Sequence, residues 1–153
     1  LMDNSVLFWS LFSCLSAQFF KIVFYFFSTG KIRYGIMFET GGMPSSHSAL
    51  ITGATSGIGL ELGFDNPIFA LAIAVSLIVM YDASGVRKSA GIQAAEINKL
   101  SKKIYPESKV DLKETLGHTK FQVIVGSLMG PLITLLGIVF IGSPLNIFDL
   151  IIN

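Results

Sequence analysis

Residues 41–59 read GGMPSSHSALITGATSGIG, a Pro-Ser-Ser-His turn followed without a break by a run of small residues. Two readings of the run imply different folds. As a helix it starts at Ser46, ends near Leu62 and is built largely from Gly, Ala, Ser and Thr. As part of a dinucleotide-binding sheet, TGATSGIG at 52–59 would be a glycine fingerprint, with Tyr105 and Lys109 of YPESK forming a Tyr-x-x-x-Lys pair. The second reading fails on context. The fingerprint has to follow a buried strand, whereas here it follows PSSHSALI, and Pro106 blocks the helix that would carry Tyr105 and Lys109 on one face. The helical reading remains. A helix so rich in small residues suits close contact with other helices better than contact with lipid, as in the spaced pairs Gly53/Gly57 and Gly126/Gly130. It is expected in the middle of a bundle.

The rest of the chain supplies that bundle. Of 153 residues, 52% are hydrophobic and 14% charged, with a mean hydropathy of +0.67. A soluble domain carries about a quarter charged residues, so the composition predicts one all-α integral membrane domain over residues 1–153, a polytopic helix bundle with about four spans and a basic helical loop. Residues 6–27, 67–81 and slightly beyond, and 121–142 are the apolar spans. The helix from Ser46 is the fourth. Pro67 stands at a helix-start position and Pro131 is expected to kink the last span. Lys21 reads either as a lysine snorkelling to the interface or as an intramembrane functional group. The final PLNIFDLIIN, residues 144–153, is too short to span and reads as interfacial or frayed. Cys14 is the single cysteine, which excludes an intrachain disulfide.

Eight of the eleven cations fall in 83–120: Arg87, Lys88, Lys99, Lys102, Lys103, Lys109, Lys113 and Lys120. Ile92, Ala95, Leu100 and Ile104 follow near-helical spacing until Pro106 ends the segment. Asp111 with Glu114 predicts a short helix from 112, and Thr119 with Gln122 predicts a helix beginning after Thr119, each by the offset of a capping box. The connection at 28–45 is also basic, and the one at 61–66 carries only Glu61 and Asp65. The cation-rich face is therefore expected in the cytoplasm. Cations that bind a substrate phosphate would produce the same pattern. This topology brings Lys21, Arg33, Ser45, Ser46, His47, Asp82, Arg87 and His118 to one membrane face.

Such a face is suited to an anion. Ser45 and Ser46 occupy N-cap positions, where unpaired amides and the positive end of the helix dipole favour negative charge. His47 sits in that first turn and His118 just ahead of another. Either histidine alone is equally readable as a capping or interface residue. Two of them, with a lysine and arginines on the same face, fit phosphoryl chemistry. Metal ligation is the weaker reading, because His47, His118 and Asp82 lack any short ligand spacing.

GGMPSSHSALITGATSGIGLELGFDNPIFALAIAVSLIVMYDASGVRKSAGIQAAEINKL, residues 41–100, followed by LKETLGHTKFQVIVGSLMG, residues 112–130, resembles the divergent branch of the type 2 phosphatidic acid phosphatases, relatives of the vanadium haloperoxidases. The likeness extends from AQFFK at 17–21 to about residue 137. It implies a helical bundle, no metal or other cofactor, and a histidine nucleophile assisted by a histidine acid. The Pro-Ser-Gly-His motif of the superfamily corresponds to Pro44, Ser45, Ser46 and His47, with Ser46 replacing glycine and His47 as the acid. Arg87 corresponds to the arginine of the third motif and His118 to its nucleophile, although 31 positions separate them here and the family pattern is tighter. Gln122 stands where an acid is expected, leaving Asp82 as the carboxylate to orient His118. Lys21 takes the first-motif lysine role, with Arg33 as its partner, though without the motif's spacing or its proline.

The resemblance thus implies a lipid phosphate phosphatase working through phosphohistidine. Ser45, Ser46, Lys21, Arg33 and Arg87 would bind phosphate, and His118, His47 and Asp82 would carry catalysis. The partners implied are the bilayer and a lipid phosphate such as phosphatidylglycerol phosphate, with no nucleic acid. A prenyl diphosphate phosphatase and a non-catalytic scaffold retaining the phosphate pocket are the alternatives.

Overall fold

The computed structural model describes residues 4–39, 41–107 and 111–145, and contains only helices and connections among them. In chain order these are α1 (Ser5–Thr29), a 3-10 turn (Tyr34–Phe38), α2 (Ser46–Leu62), α3 (Pro67–Ser84), α4 (Val86–Ile104) and α5 (Lys120–Phe140). α1, the α3–α4 stretch Pro67–Ile104 and α5 are long and apolar enough to cross a membrane. α2 has 17 residues, about 26 Å at 1.5 Å per residue, and runs beside them. The chain folds as a helical membrane bundle. TGATSGIG lies inside α2, and there is no strand among the described residues.

The helix boundaries follow local chemistry. Asn4 caps α1 by accepting the Leu7 amide at 2.8 Å, and Gly30 closes it in the left-handed region. Asn66 and Pro67 start α3. Thr119 and Gln122 form the expected capping box on α5, the Gln122 side chain accepting the Thr119 amide at 2.9 Å. Pro131 lies within α5, which remains one helix.

α2 touches α1, α3 and α5, and its contact with α5 is the most extensive between elements. Small residues make this approach: a Cβ on Gly126 would collide with the Ser45 carbonyl, and one on Gly130 with the Ala49 carbonyl. The interior is correspondingly polar and small. Ser10, Ser13, Ser48, Thr55, Ser76 and Thr134 are buried, while Leu15, Phe19, Phe27, Leu128 and Phe140 point outward. In lipid an outward Phe loses nothing, so packing and interhelical hydrogen bonds drive association instead. Thr55 and Ser76 hydroxyls meet at 2.7 Å between α2 and α3. Ser13 and Thr134 hydroxyls meet at 3.3 Å between α1 and α5.

Two expectations for the region after α3 need revision. The helical pieces form one 19-residue helix, α4. The short helix expected from 112 is absent, and residues 111–116 are irregular. Asn98 of α4 explains why: its side-chain amide donates to the Leu112 carbonyl and to Glu114 Oε1, and its oxygen accepts the Leu112 amide, all at 2.8 Å. Asp111 meanwhile pairs with Lys102 at 3.2 Å. Groups expected to cap a new helix are spent on α4. Most of the final apolar stretch, from residue 146 onward, lies outside the described residues.

Candidate active site

α4 and the segment after it form an excursion that leaves the bundle and returns to its starting point. The return segment lies against α4 where side chains are missing: a Cβ on Gly91 would come within 2.6 Å of the Glu114 carbonyl, and one on Gly117 within 2.7 Å of Lys88 Cα. Gly117 also has φ +80°, a conformation that favours glycine. The His118 amide then donates to the Ala83 carbonyl at the end of α3, at 2.9 Å. The 31 positions between Arg87 and His118 are therefore taken up by the excursion, and both residues line one pocket.

That pocket, of about 50 Å³, is lined by His47, Val79, Asp82, Ala83, Arg87, Leu116, Gly117 and His118. His47 projects from the first turn of α2 and is exposed; Asp82 comes from the end of α3, Arg87 from the start of α4, and His118 from the loop preceding α5. A second pocket, of about 240 Å³, lies on another side of His118, between Gly41, Gly42, Lys88, Thr115 and Gln122.

His118 is held by a residue that the sequence motifs do not name. Its Nδ1 lies 3.1 Å from the Gly42 carbonyl. A carbonyl can only accept, so Nδ1 carries the proton and, in the neutral ring, Nε2 carries the lone pair. Gly42 has φ +81°, and the GG pair at 41–42 was the available signal for such a turn. Asp82, expected to orient His118, instead accepts from Arg87 Nε at 2.5 Å. It shares the pocket but not the hydrogen bond. The His118 pKa is pushed below the ordinary histidine value, first by burial and then by the positive charge of Lys21; hydrogen bonds to Gly42 and Gln122 oppose the shift.

Lys21 is 2% exposed, which rules out the snorkelling reading. Its Nζ donates to the Glu39 carbonyl at 2.9 Å, tying α1 to the connection before α2. It lines neither pocket but lies within electrostatic reach of both histidines. Arg33 is not brought in: it pairs with Glu39 Oε1 at 2.5 Å. Ser45 and Ser46 are buried at the head of α2. Ser45 caps the helix through Ser48, and its own amide donates to the Gln122 carbonyl at 3.2 Å. Among the described residues, the amides of Ser46 and His47 have no backbone partner. The described residues contain no group of three His, Cys, Asp or Glu able to hold a metal ion.

With this geometry in view, comparison with known proteins identifies the class. The model of the Divergent PAP2 family matches residues 2–133, and the chain belongs to that family. It is 40% identical to the uncharacterized membrane protein YuiD of Bacillus subtilis (strain 168) over 149 aligned residues, covering 88% of this chain and 94% of the relative. The chain is thus an integral membrane protein. No solved structure matches it.

Proposed function

We propose that the chain is a lipid phosphate phosphatase that works without a metal, through a phosphohistidine on His118. The observation that carries this reading is the His118 Nδ1 contact with the Gly42 carbonyl, which leaves Nε2 as the nucleophilic nitrogen in a pocket shared with His47 and Arg87. The substrate phosphate meets the Arg87 guanidinium and the amides of Ser46 and His47, with the Lys21 charge behind them. These groups stabilise charge on the phosphoryl oxygens in the transition state.

His118 Nε2 attacks phosphorus as the bond to the lipid oxygen breaks, and His47 gives that oxygen a proton. His47 then takes a proton from water, whose oxygen attacks phosphorus and releases phosphate and free His118. Asp82 positions Arg87 in this scheme, and the Gly42 carbonyl supports the positive charge that develops on the His118 ring.

The lipid tail remains in the bilayer beside α2. A groove of about 270 Å³ lined by Thr52, Ser56, Ser76, Met80, Ser127 and Pro131 provides room for it between α3 and α5. If the cation-rich face is cytoplasmic, the substrate is a lipid made on that side, such as phosphatidylglycerol phosphate.

A second reading has its own support. Gln122 occupies the position of the missing acid and uses its side chain to cap α5, as in a phosphate-binding scaffold without turnover. Phosphate release from several lipid phosphates by purified protein separates the two, with His118→Ala as the control. Release by wild type and none by the variant is expected. Equal release, or none from either while vanadate still binds, rejects the enzyme.

A further inference from the structure

α4 is divided lengthwise into three faces. Gly91, Ala94 and Asn98 are buried under the return segment. A second face carries Val86, Ala90, Ile97, Leu100 and Ile104, spaced by three, four and seven residues and so aligned along the helix. Its four large members are between 52% and 63% exposed, and α4 meets the other helices chiefly through α3. The third face carries Lys88, Lys99 and Lys103, with exposed Ile92 among them and Glu96 paired to Lys99 at 2.7 Å. Residues 86–107 contain five cations against two carboxylates.

We propose that α4 is an interfacial helix whose apolar face is sunk into the boundary between headgroups and acyl chains, with its lysines on anionic headgroups. Two observations select the bilayer as the occupant of this face. The first is continuity: Leu77, Ile78 and Tyr81 on the outward side of α3 share an open groove of about 650 Å³ with Val86 at the start of α4. The surface that α3 presents to lipid therefore runs onto the apolar face of α4 without a polar break other than Asp82. The second is charge. A basic face beside an apolar one matches an anionic membrane surface, and the buried apolar area and the charge attraction add.

The inference does not depend on phosphatase activity. It does have a consequence for the site, because Arg87 is the second residue of α4 and the return segment ends at His118. Seating the helix in the interface holds both ends of the excursion at headgroup depth.

The test places single cysteines at Leu100, Ile104, Lys99 and Lys103 in a Cys14→Ser background, labels each with bimane, and reconstitutes the full chain in phosphatidylcholine vesicles with or without phosphatidylglycerol. Shallow doxyl lipids, matched to an insertion depth of about 5–10 Å, should quench the label at Leu100→Cys and Ile104→Cys. Aqueous iodide should quench it at Lys99→Cys and Lys103→Cys. Phosphatidylglycerol should blue-shift the emission at positions 100 and 104, and high salt should reverse part of that shift. Iodide quenching at all four positions overturns the proposal. So does protection of positions 100 and 104 from both quenchers together with crosslinking between chains, which would make a second copy the occupant. An unchanged emission with phosphatidylglycerol overturns the electrostatic part.

Discussion

His118 and Gly42 are 76 positions apart, yet the orientation of the histidine ring depends on the glycine carbonyl. A carboxylate at that place would hold the imidazole by a full negative charge; a carbonyl holds it by a dipole. The Gly42 carbonyl therefore fixes the tautomer while raising the basicity of the ring less than an acid would. Burial, and after it the charge of Lys21, outweigh that rise and hold the His118 pKa below the ordinary histidine value.

The acid limb of phosphate release should accordingly fall below the ordinary histidine value of 6.5, since a nucleophilic His118 must be neutral. Lys21→Met removes the second largest cause of the depression, so the limb of kcat/KM should move to higher pH, and vanadate should bind more weakly. A pH–rate profile of the two proteins checks both. The linked stability has the same sign. Neutral His118 contributes stability that is fully present above 6.5 and is lost as pH falls through the depressed folded value.

Asn98 touches neither pocket but should matter for activity. Asn98→Leu leaves the amide and carbonyl of Leu112 without partners, at a cost of about 1–3 kcal/mol where they remain buried. Hydrogen exchange at residues 111–117 should accelerate, and phosphate release should fall. Unchanged exchange in that segment would show that Gly91 and Gly117 hold it unaided.

The inverted interior makes small residues the sensitive ones. Gly130→Ala places a methyl group against the Ala49 carbonyl and within 2.7 Å of the Gly53 amide nitrogen, an overpacking that should cost about 1–3 kcal/mol. Leu128→Ala removes more atoms, but from a side chain 68% exposed, and should stay within about 0.5 kcal/mol. Unfolding of both variants in the same detergent gives the comparison.

Sidedness bears directly on the substrate. Asp65→Cys in the acidic turn and Glu107→Cys beyond α4, in a Cys14→Ser background, should differ in intact cells treated with an impermeant thiol reagent. Position 65 should label, and position 107 should be protected until the membrane is opened. The reverse pattern would attribute the cations to phosphate binding and favour an outward-facing lipid such as a prenyl diphosphate.

The helices were readable because their signals are local. A Ser45 cap, the Thr119/Gln122 box, Pro67 and the long apolar runs each act within one turn of the residues they organise. The bundle centre was readable from the glycines and hydroxyls of α2. The error at 112 has the opposite origin: Asp111 and Glu114 satisfy a local pattern, but Asn98, 14 residues from Leu112, competes for the same backbone. Arg33 was drawn in by its charge, and only the fold reveals that Glu39 engages it. The Gly42 carbonyl could not be read from any side chain, since the functional atom belongs to the backbone.

The excursion from Arg87 to His118 has its two ends at the base of the site and its tip far away. One added turn of α4 lengthens the outbound arm by about 5.4 Å, which about 1.6 extended residues recover on the return. Matched insertions of roughly three or four residues on one arm and one or two on the other would therefore leave both ends where they are. Length in this part of the chain is free to vary in such coupled steps, so related chains should differ here in paired increments while the pocket keeps its shape.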